Sequence, residues 1–214
     1  MRVAGPADLS RVWAIVPIRG LATAKTRLGG ELDAEERLAL VTLLLRRTLE
    51  ATRDAASISG TVVVTMDPAA AAMAKAHGAV GLVDRLPGLN EAIRAARAVA
   101  VAKEATAVLV VPADLARVSA ANLDAFIESA GRSSALTGLV AIVPDRHLEG
   151  TNVLLVSPPT IVDPSFGVGS RTGHQAAAGL VGAAFTEIRG PLTLDVDTAA
   201  DLLLAEAGLG DRGG

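Results

Sequence analysis

The chain reads as an α/β protein, a single-domain three-layer sandwich with a mostly parallel sheet. Three observations predict this. Short runs rich in Val, Ile and Leu alternate with helical stretches along the whole chain. The runs are apolar throughout, as strands covered on both faces must be. The 214 residues hold no linker and no internal repeat. A chain of that length buries about 70% of its unfolded surface in one core.

Residues 12–18 are a continuous apolar run stopped by Pro17 and the Arg19-Gly20 pair, and they read as a buried strand. A helix begins at Asp33, with Glu35 and Glu36 in its first turn and Arg46 and Arg47 near its end. Residues 61–65 are the next β-branched strand. Pro68 opens an Ala-rich helix that Gly78 ends. Residues 80–83 form a short strand, 90–103 a helix, and 107–111 a further strand broken by Pro112. Ser119 caps a helix ending near Gly131. Residues 139–143 and 153–156 read as two strands joined by 144–151. Gly169 and Ser170 introduce a short helix reaching about Val181. Residues 185–188 and 192–196 are strand candidates, and Thr198 caps a last helix through Ala207. The expected organisation is an N-terminal extension over 1–11, one domain over 12–207 and a flexible Gly-rich tail over 208–214.

Composition removes several function classes. Lys plus Arg is 20 and Asp plus Glu is 23, a net charge of −3, so no basic excess points to nucleic acid. Aromatics are 2%, Trp13 is the only tryptophan and there is no tyrosine, which leaves no base-stacking platform. No cysteine is present, which excludes disulfides, thiol nucleophiles and Cys-type metal sites. No apolar run approaches the ~18 residues of a membrane span. Residues 1–10 lack the apolar centre of a signal peptide. A soluble, cytoplasmic protein without membrane partners is expected. The mean hydropathy of +0.43 comes from abundant Ala, Val and Leu.

In open parallel sheets, ligands bind beyond the carboxyl ends of the strands. Four clusters follow strands directly. In the first, Lys25 and Arg27 stand close together on the loop after the first strand, where the two cations could balance a triphosphate. The paired glycines and Gly-Lys-Ser/Thr of a Walker loop are absent. Two solvated basic residues would look the same. In the second, Pro112-Ala113-Asp114-Leu115 puts a carboxylate where a Mg²⁺–phosphate complex would sit, although Asp is also a common turn residue. In the third, extended Asp195-Val196-Asp197 would turn both carboxylates to one face, where they repel unless a cation lies between them. Asp197 could equally be the cap of the last helix. In the fourth, Gly150-Thr151-Asn152 stands between two strands, and Phe166-Gly167-Val168-Gly169-Ser170 precedes a helix. The latter suits an anion, or is a plain turn with Ser170 as a cap. His174 would lie one turn further along that helix. Leu89-Asn90 opens another helix, with Asn90 either a cap or, through its amide, a reader of a base edge.

Ordered along residues 12–205, these segments resemble the 2-phospho-L-lactate or phosphoenolpyruvate guanylyltransferases of deazaflavin coenzyme F-420 biosynthesis. The carrying pieces are Ala24-Lys25-Thr26-Arg27-Leu28, Leu89-Asn90-Glu91-Ala92-Ile93, Pro112-Ala113-Asp114-Leu115, Gly150-Thr151-Asn152, Phe166–Ser170 with His174, and Leu194-Asp195-Val196-Asp197-Thr198. The resemblance implies a nucleotide-diphospho-sugar transferase-like fold. It also implies transfer of GMP from GTP to the phosphate of a small phosphorylated three-carbon acid. On that resemblance Lys25 and Arg27, with Arg19, would hold the GTP phosphates, and Leu89 and Asn90 would lie at the nucleoside. Asp114, Asp195 and Asp197 would bind Mg²⁺, and Thr151, Gly167 and Ser170 would bind the acceptor. Lys25, Arg27 and Asp114 are the catalytic candidates. Two positions depart from the family: Arg19 where Lys is frequent, and Ala116 where Pro is common. The acceptor stays open among phosphoenolpyruvate, 2-phospholactate and 3-phosphoglycerate, and the oligomeric state is open too, a homodimer being one option. A molybdopterin guanylyltransferase or a cytidylyltransferase is the alternative enzyme, though those families commonly begin with Ala-Gly-Gly after the first strand. A non-catalytic nucleotide-binding protein is the alternative class.

Overall fold

The computed structural model describes residues 6–22, 25, 30, 32–85, 88–133, 137–196 and 201. Its elements run β1 (Val12–Pro17), α1 (Ala34–Asp54), β2 (Ile58–Thr65), α2 (Pro68–Ala76), β3 (Val80–Val83), α3 (Leu89–Ala102) and β4 (Ala107–Val110). They continue with α4 (Ala120–Arg132), β5 (Leu139–Pro144), β6 (Thr151–Ser157), α5 (Ser170–Val181) and β7 (Ala184–Glu187). The strands make one seven-stranded sheet in the order β3-β2-β1-β4-β6-β5-β7. Only β6 is reversed: it is antiparallel to β4 and to β5, and every other pairing is parallel.

Alternate residues of each strand serve opposite faces. Val16, Val63, Leu109 and Leu155 meet α1, α2 and α4, while Ile15, Val62, Val110 and Leu154 meet α3 and α5. Every residue of β4, β5 and β6 is buried, as their unbroken apolar sequences require. The helix starts follow local chemistry. Asp33 caps α1 in a reciprocal box with Glu36, Asp67 caps α2 ahead of Pro68, and the Ser119 hydroxyl accepts from the Asn122 N–H to cap α4. Helix α1 runs beyond Arg47 because Thr48, Leu49, Ala51 and Thr52 continue its buried face.

One expectation changes. Residues 192–196 are not a strand: Pro191–Thr193 form a 3-10 turn, and Asp195 alone makes a bridge, to Leu115. Pro191 and the Asn152 amide on the Leu192 carbonyl take this segment out of sheet pairing. The described part of the expected extension, residues 6–11, docks on the sheet end. The Asp8 N–H donates to Ser157 Oγ, and Leu9 packs beside α4. The helix expected from Thr198 and the tail over 208–214 lie outside the described residues, save Asp201, which is helical. No helix among the described residues is long and apolar enough to cross a membrane.

Candidate active site

Strands β1, β2 and β3 end side by side, and a cavity of about 950 Å³ opens beyond them. Small-molecule pockets commonly span ~300–1,000 Å³. Arg19, Thr65, Asp67, Asp84, Arg85 and Leu89 are among the residues that line it. Asp67 holds the loop above the cavity. Its Oδ2 accepts the Leu21 N–H at 3.0 Å, and its Oδ1 caps α2 through the Ala69 N–H at 2.8 Å. The Leu21 N–H, foremost, holds this carboxyl below the usual carboxylate range. The Arg19 carbonyl accepts from Met66 N–H at 3.3 Å, which lays the same loop over the end of β2.

A smaller cavity of about 140 Å³ adjoins the first, sharing Pro17, Ile18 and Arg19, and it reaches Lys25 and Asp114. Lys25 Nζ donates to Asp114 Oδ2 at 2.6 Å. The residue proposed for phosphates and the residue proposed for metal thus form one ion pair, on a Lys25 backbone with φ 59°. The loop carrying Asp114 is fixed from two sides. From α1, Thr48 Oγ1 donates to the Ala113 carbonyl at 3.5 Å and Arg47 to the Ala116 carbonyl at 3.3 Å. From the other side, Ala116 N–H donates to Leu194 and Val196 N–H to Asp114, each at 2.9 Å. The second pairing brings Asp195 opposite Leu115. A Pro at position 116 could not donate, so Ala116 supplies a bond in this loop that the frequent family residue lacks. Val196 turns into a buried cluster with Leu44 and Ala116. Arg27 and Asp197 lie outside the described residues, and among the described residues no three His, Cys, Asp or Glu side chains converge on a metal position. Asp114 and Asp195 offer the hard oxygen donors that Mg²⁺ takes.

The segments expected to hold the acceptor meet at the other side of β4. The β5–β6 register pairs Val143 with Val153 and then Pro144 with Thr151, so Asn152 is one residue extra. This β-bulge breaks the alternation and re-aims its neighbours. Asn152 donates from Nδ2 to the Leu192 carbonyl at 3.2 Å, on the side where Val153 packs. Thr151 turns the opposite way and meets α5, where its Oγ1 lies 3.1 Å from His174 Nδ1. The Ser165 N–H donates to His174 Nε2 at 3.1 Å. His174 is fully buried, and burial pushes its pKa down to about 4.

Ser170 is not the cap of α5. Gly169, at φ 71°, holds that position, as only a residue without a Cβ does readily. The Ser170 hydroxyl is buried and has no hydrogen-bond partner among the described residues. Two N–H groups at this helix start are already engaged: Ser170 donates to Gly167 at 3.1 Å and Arg171 to Glu149 at 3.3 Å. Gly167, at φ 130°, makes the turn that brings the chain into the helix. Asn90 is corrected likewise. Gly88 is the cap of α3, and the Asn90 amide is turned to a backbone rather than to the cavity. Its Oδ1 accepts the Phe166 N–H at 2.8 Å, and its Nδ2 donates to the Phe166 carbonyl at 3.1 Å. Leu89, its neighbour, does line the cavity. Asp67, Asp84 and Arg85 were missed by sequence reasoning, although they follow β2 and β3 and the strand-end rule finds them.

Comparison with known proteins fits this arrangement. The family model described as guanylyl transferase CofC-like matches residues 12–206. A phosphoenolpyruvate guanylyltransferase of Sphaerobacter thermophilus is 37% identical over 190 residues, covering 88% of this chain and 89% of the relative. One from Conexibacter woesei is 40% identical over 207 residues, covering 94% and 91%. Among solved structures, one described as a nucleotide-diphospho-sugar transferase from Desulfovibrio desulfuricans superposes with a TM-score of 0.75 at 13% identity, covering 94% of this chain and 89% of that one. The 4-diphosphocytidyl-2C-methyl-D-erythritol synthase of Anaerococcus prevotii gives 0.63 at 12% identity, with 95% and 98% covered. These two share the fold. With a family model spanning nearly the whole domain and relatives at this identity over most of their length, the chain belongs to the CofC-like guanylyl transferases.

Proposed function

We propose that the protein transfers GMP from GTP to the phosphate of phosphoenolpyruvate, releasing pyrophosphate, as a step of coenzyme F-420 biosynthesis in the cytoplasm. The observation that carries this is the place of the Lys25–Asp114 pair. It stands after β1 and β4, between a nucleotide-sized cavity over β1–β3 and the Thr151–Ser170 corner at β6. The relatives named above supply the acceptor.

A phosphate oxygen of the acceptor attacks the α-phosphorus of GTP. A new P–O bond forms, the bond to the α–β bridging oxygen breaks, and its electron pair leaves with pyrophosphate. The acceptor phosphate has a second pKa of about 6, so it arrives largely ionised and needs no general base. The protein's task is alignment and charge. Lys25 and Arg19, which line the two cavities, would face the triphosphate, and the family resemblance assigns Arg27 to it as well. Asp114, Asp195 and Asp197 would hold Mg²⁺, whose positive charge offsets the charge gathering on the reacting phosphates. Thr151, Gly167 and Ser170 seat the acid. Leu89 contributes an apolar wall to the nucleoside cavity.

Pyrophosphate release with Mg²⁺ and each of GTP, ATP and CTP, against phosphoenolpyruvate, 2-phospholactate and 3-phosphoglycerate, tests the reading. The expected result is turnover strongest with GTP and phosphoenolpyruvate. Equal rates with ATP and GTP would remove guanylyl transfer and leave only a nucleotidyltransferase.

A further inference from the structure

His174 has the features of a group with work to do. It is fully buried, it is bonded at both ring nitrogens, and it contacts an acceptor-side residue. Its bonds determine its tautomer. A backbone N–H can only donate, so the Ser165 N–H requires a lone pair on Nε2. A neutral imidazole with Nε2 bare carries its proton on Nδ1. Burial keeps the ring neutral at physiological pH. Nδ1–H therefore donates to Thr151 Oγ1 across 3.1 Å. A threonine hydroxyl that accepts there still has its own proton to place.

We propose that His174 is a positioning residue for the acceptor: by donating Nδ1–H to Thr151 Oγ1 it frees the Thr151 hydroxyl proton to point at the anionic phospho-acid. This rests on the functional reading above. Three further observations support it. Ser170 precedes His174 by four residues, so both side chains share one face of α5. The Ser170 hydroxyl there is buried and unpartnered, the state of a donor whose partner is a ligand. The imidazole is also held in orientation. The Phe166 ring meets it edge-on, with centroids 5.4 Å apart and planes at 71°, and the Asn90 amide grips Phe166 at both N–H and C=O. The bulge at Asn152 supplies the remaining part by turning Thr151 toward the helix. Two neutral hydroxyl donors, one aligned by a histidine, thus flank the place assigned to an anion.

The first test needs no substitution. The chain has three histidines, and ¹⁵N-histidine labelling reads each tautomer by long-range ¹H–¹⁵N correlation. The expected result for His174 at pH 7 is a protonated Nδ1 and a bare Nε2. A protonated Nε2 overturns the proposal. The second test separates positioning from packing. His174→Gln keeps an acceptor near Nε2 and loses the Nδ1 donor, whereas His174→Asn keeps an amide donor near Nδ1. Loss of one neutral hydrogen bond predicts a phosphoenolpyruvate KM raised about tenfold in His174→Gln, with the GTP KM within about twofold. His174→Asn should recover most of that loss although its side chain is the smaller. A packing role predicts the reverse order, or equal changes in both KM values, and either result overturns the proposal. If His174→Gln does not fold, Thr151→Ser and Thr151→Val replace it, Ser keeping the acceptor KM and Val raising it. A wild type that releases no pyrophosphate from GTP and phosphoenolpyruvate overturns the functional reading instead, while the tautomer measurement still decides the hydrogen-bond geometry.

Discussion

Replacing Ser170 by Ala should stabilise the protein and cripple acceptor binding at once. In the free protein the Ser170 hydroxyl is buried and makes no hydrogen bond among the described residues. A buried polar group left unpaired costs about 1–3 kcal/mol, which its removal returns. Alanine is also the better helix former, by up to roughly 0.5 kcal/mol. Taking the lower part of the first range, the gain is about 1–2 kcal/mol. For a chain of this size each kcal/mol moves Tm by about 2–4 °C, so a rise of about 2–8 °C is expected. With substrate the sign reverses. One hydrogen bond to a charged phosphate or carboxylate contributes about 1.5–3 kcal/mol, so the phosphoenolpyruvate KM should rise about 10- to 150-fold. The GTP KM should hardly change, because Ser170 stands across β4 from the nucleotide cavity. Thermal melts without ligand and pyrophosphate release with one substrate saturating measure both effects. A lower Tm means the hydroxyl has a structural partner. An unchanged acceptor KM means its partner is not the acid, and a raised GTP KM means the two pockets are assigned the wrong way round.

Asp114→Asn keeps the shape and removes the charge that pairs with Lys25 and, on the proposed reading, would meet Mg²⁺. Turnover with saturating Mg²⁺ should fall at least about a hundredfold with the melting curve retained, the scale of losing one transition-state charge contact, and near-normal rates would make Asp114 a loop residue only. Lys25→Ala should mainly raise the GTP KM, read in the same assay. Asn90→Ala removes both bonds to Phe166, and at about 1 kcal/mol each it should cost about 2 kcal/mol in urea unfolding. It should also raise the acceptor KM more than the GTP KM. His174 gives a pH dependence. Its folded pKa, about 4, lies below the ordinary 6.5, so between those values the unfolded chain binds the extra proton. Stability is complete above pH 6.5 and falls as pH drops toward 4. At about 1.36 kcal/mol per unit the whole loss is about 3 kcal/mol. Urea unfolding at pH 7 and 5 should show a steeper acid loss for wild type than for His174→Asn, and parallel losses would sink that assignment.

The alternation of apolar runs and helices, and the caps at Asp33, Asp67 and Ser119, were written in local chemistry, so most elements could be read to within a residue or two. The site was harder to read, because it depends on a defect. Strict period-two alternation from Val153 would put Thr151 on the Val153 face, away from α5. The extra residue Asn152 reverses that, and a bulge has no sequence mark beyond the turn before it. Asn90 shows a similar limit. An Asn near a helix start suggests a cap, but Gly88 takes that place and the amide reaches a backbone 76 residues away. Such a partner exists only after the sheet has assembled.

The strand order also acts as a ruler. Adjacent strands stand about 4.8 Å apart, so the three steps from β2 through β1 and β4 to β6 span about 14 Å. Along that edge come, in turn, the large cavity, the Lys25–Asp114 pair, and Thr151. On the proposed reading, this spatial order is the chemical order of base, phosphate and nucleophile. Changes at the β5–β6–α5 corner can then alter which acid is accepted while the nucleotide end keeps its shape. Beyond the sheet itself, the clamp from Asn90 to Phe166 ties the start of α3, beside the cavity, to the segment ahead of α5. A lineage changing its acceptor could therefore vary that corner freely while holding this joint fixed.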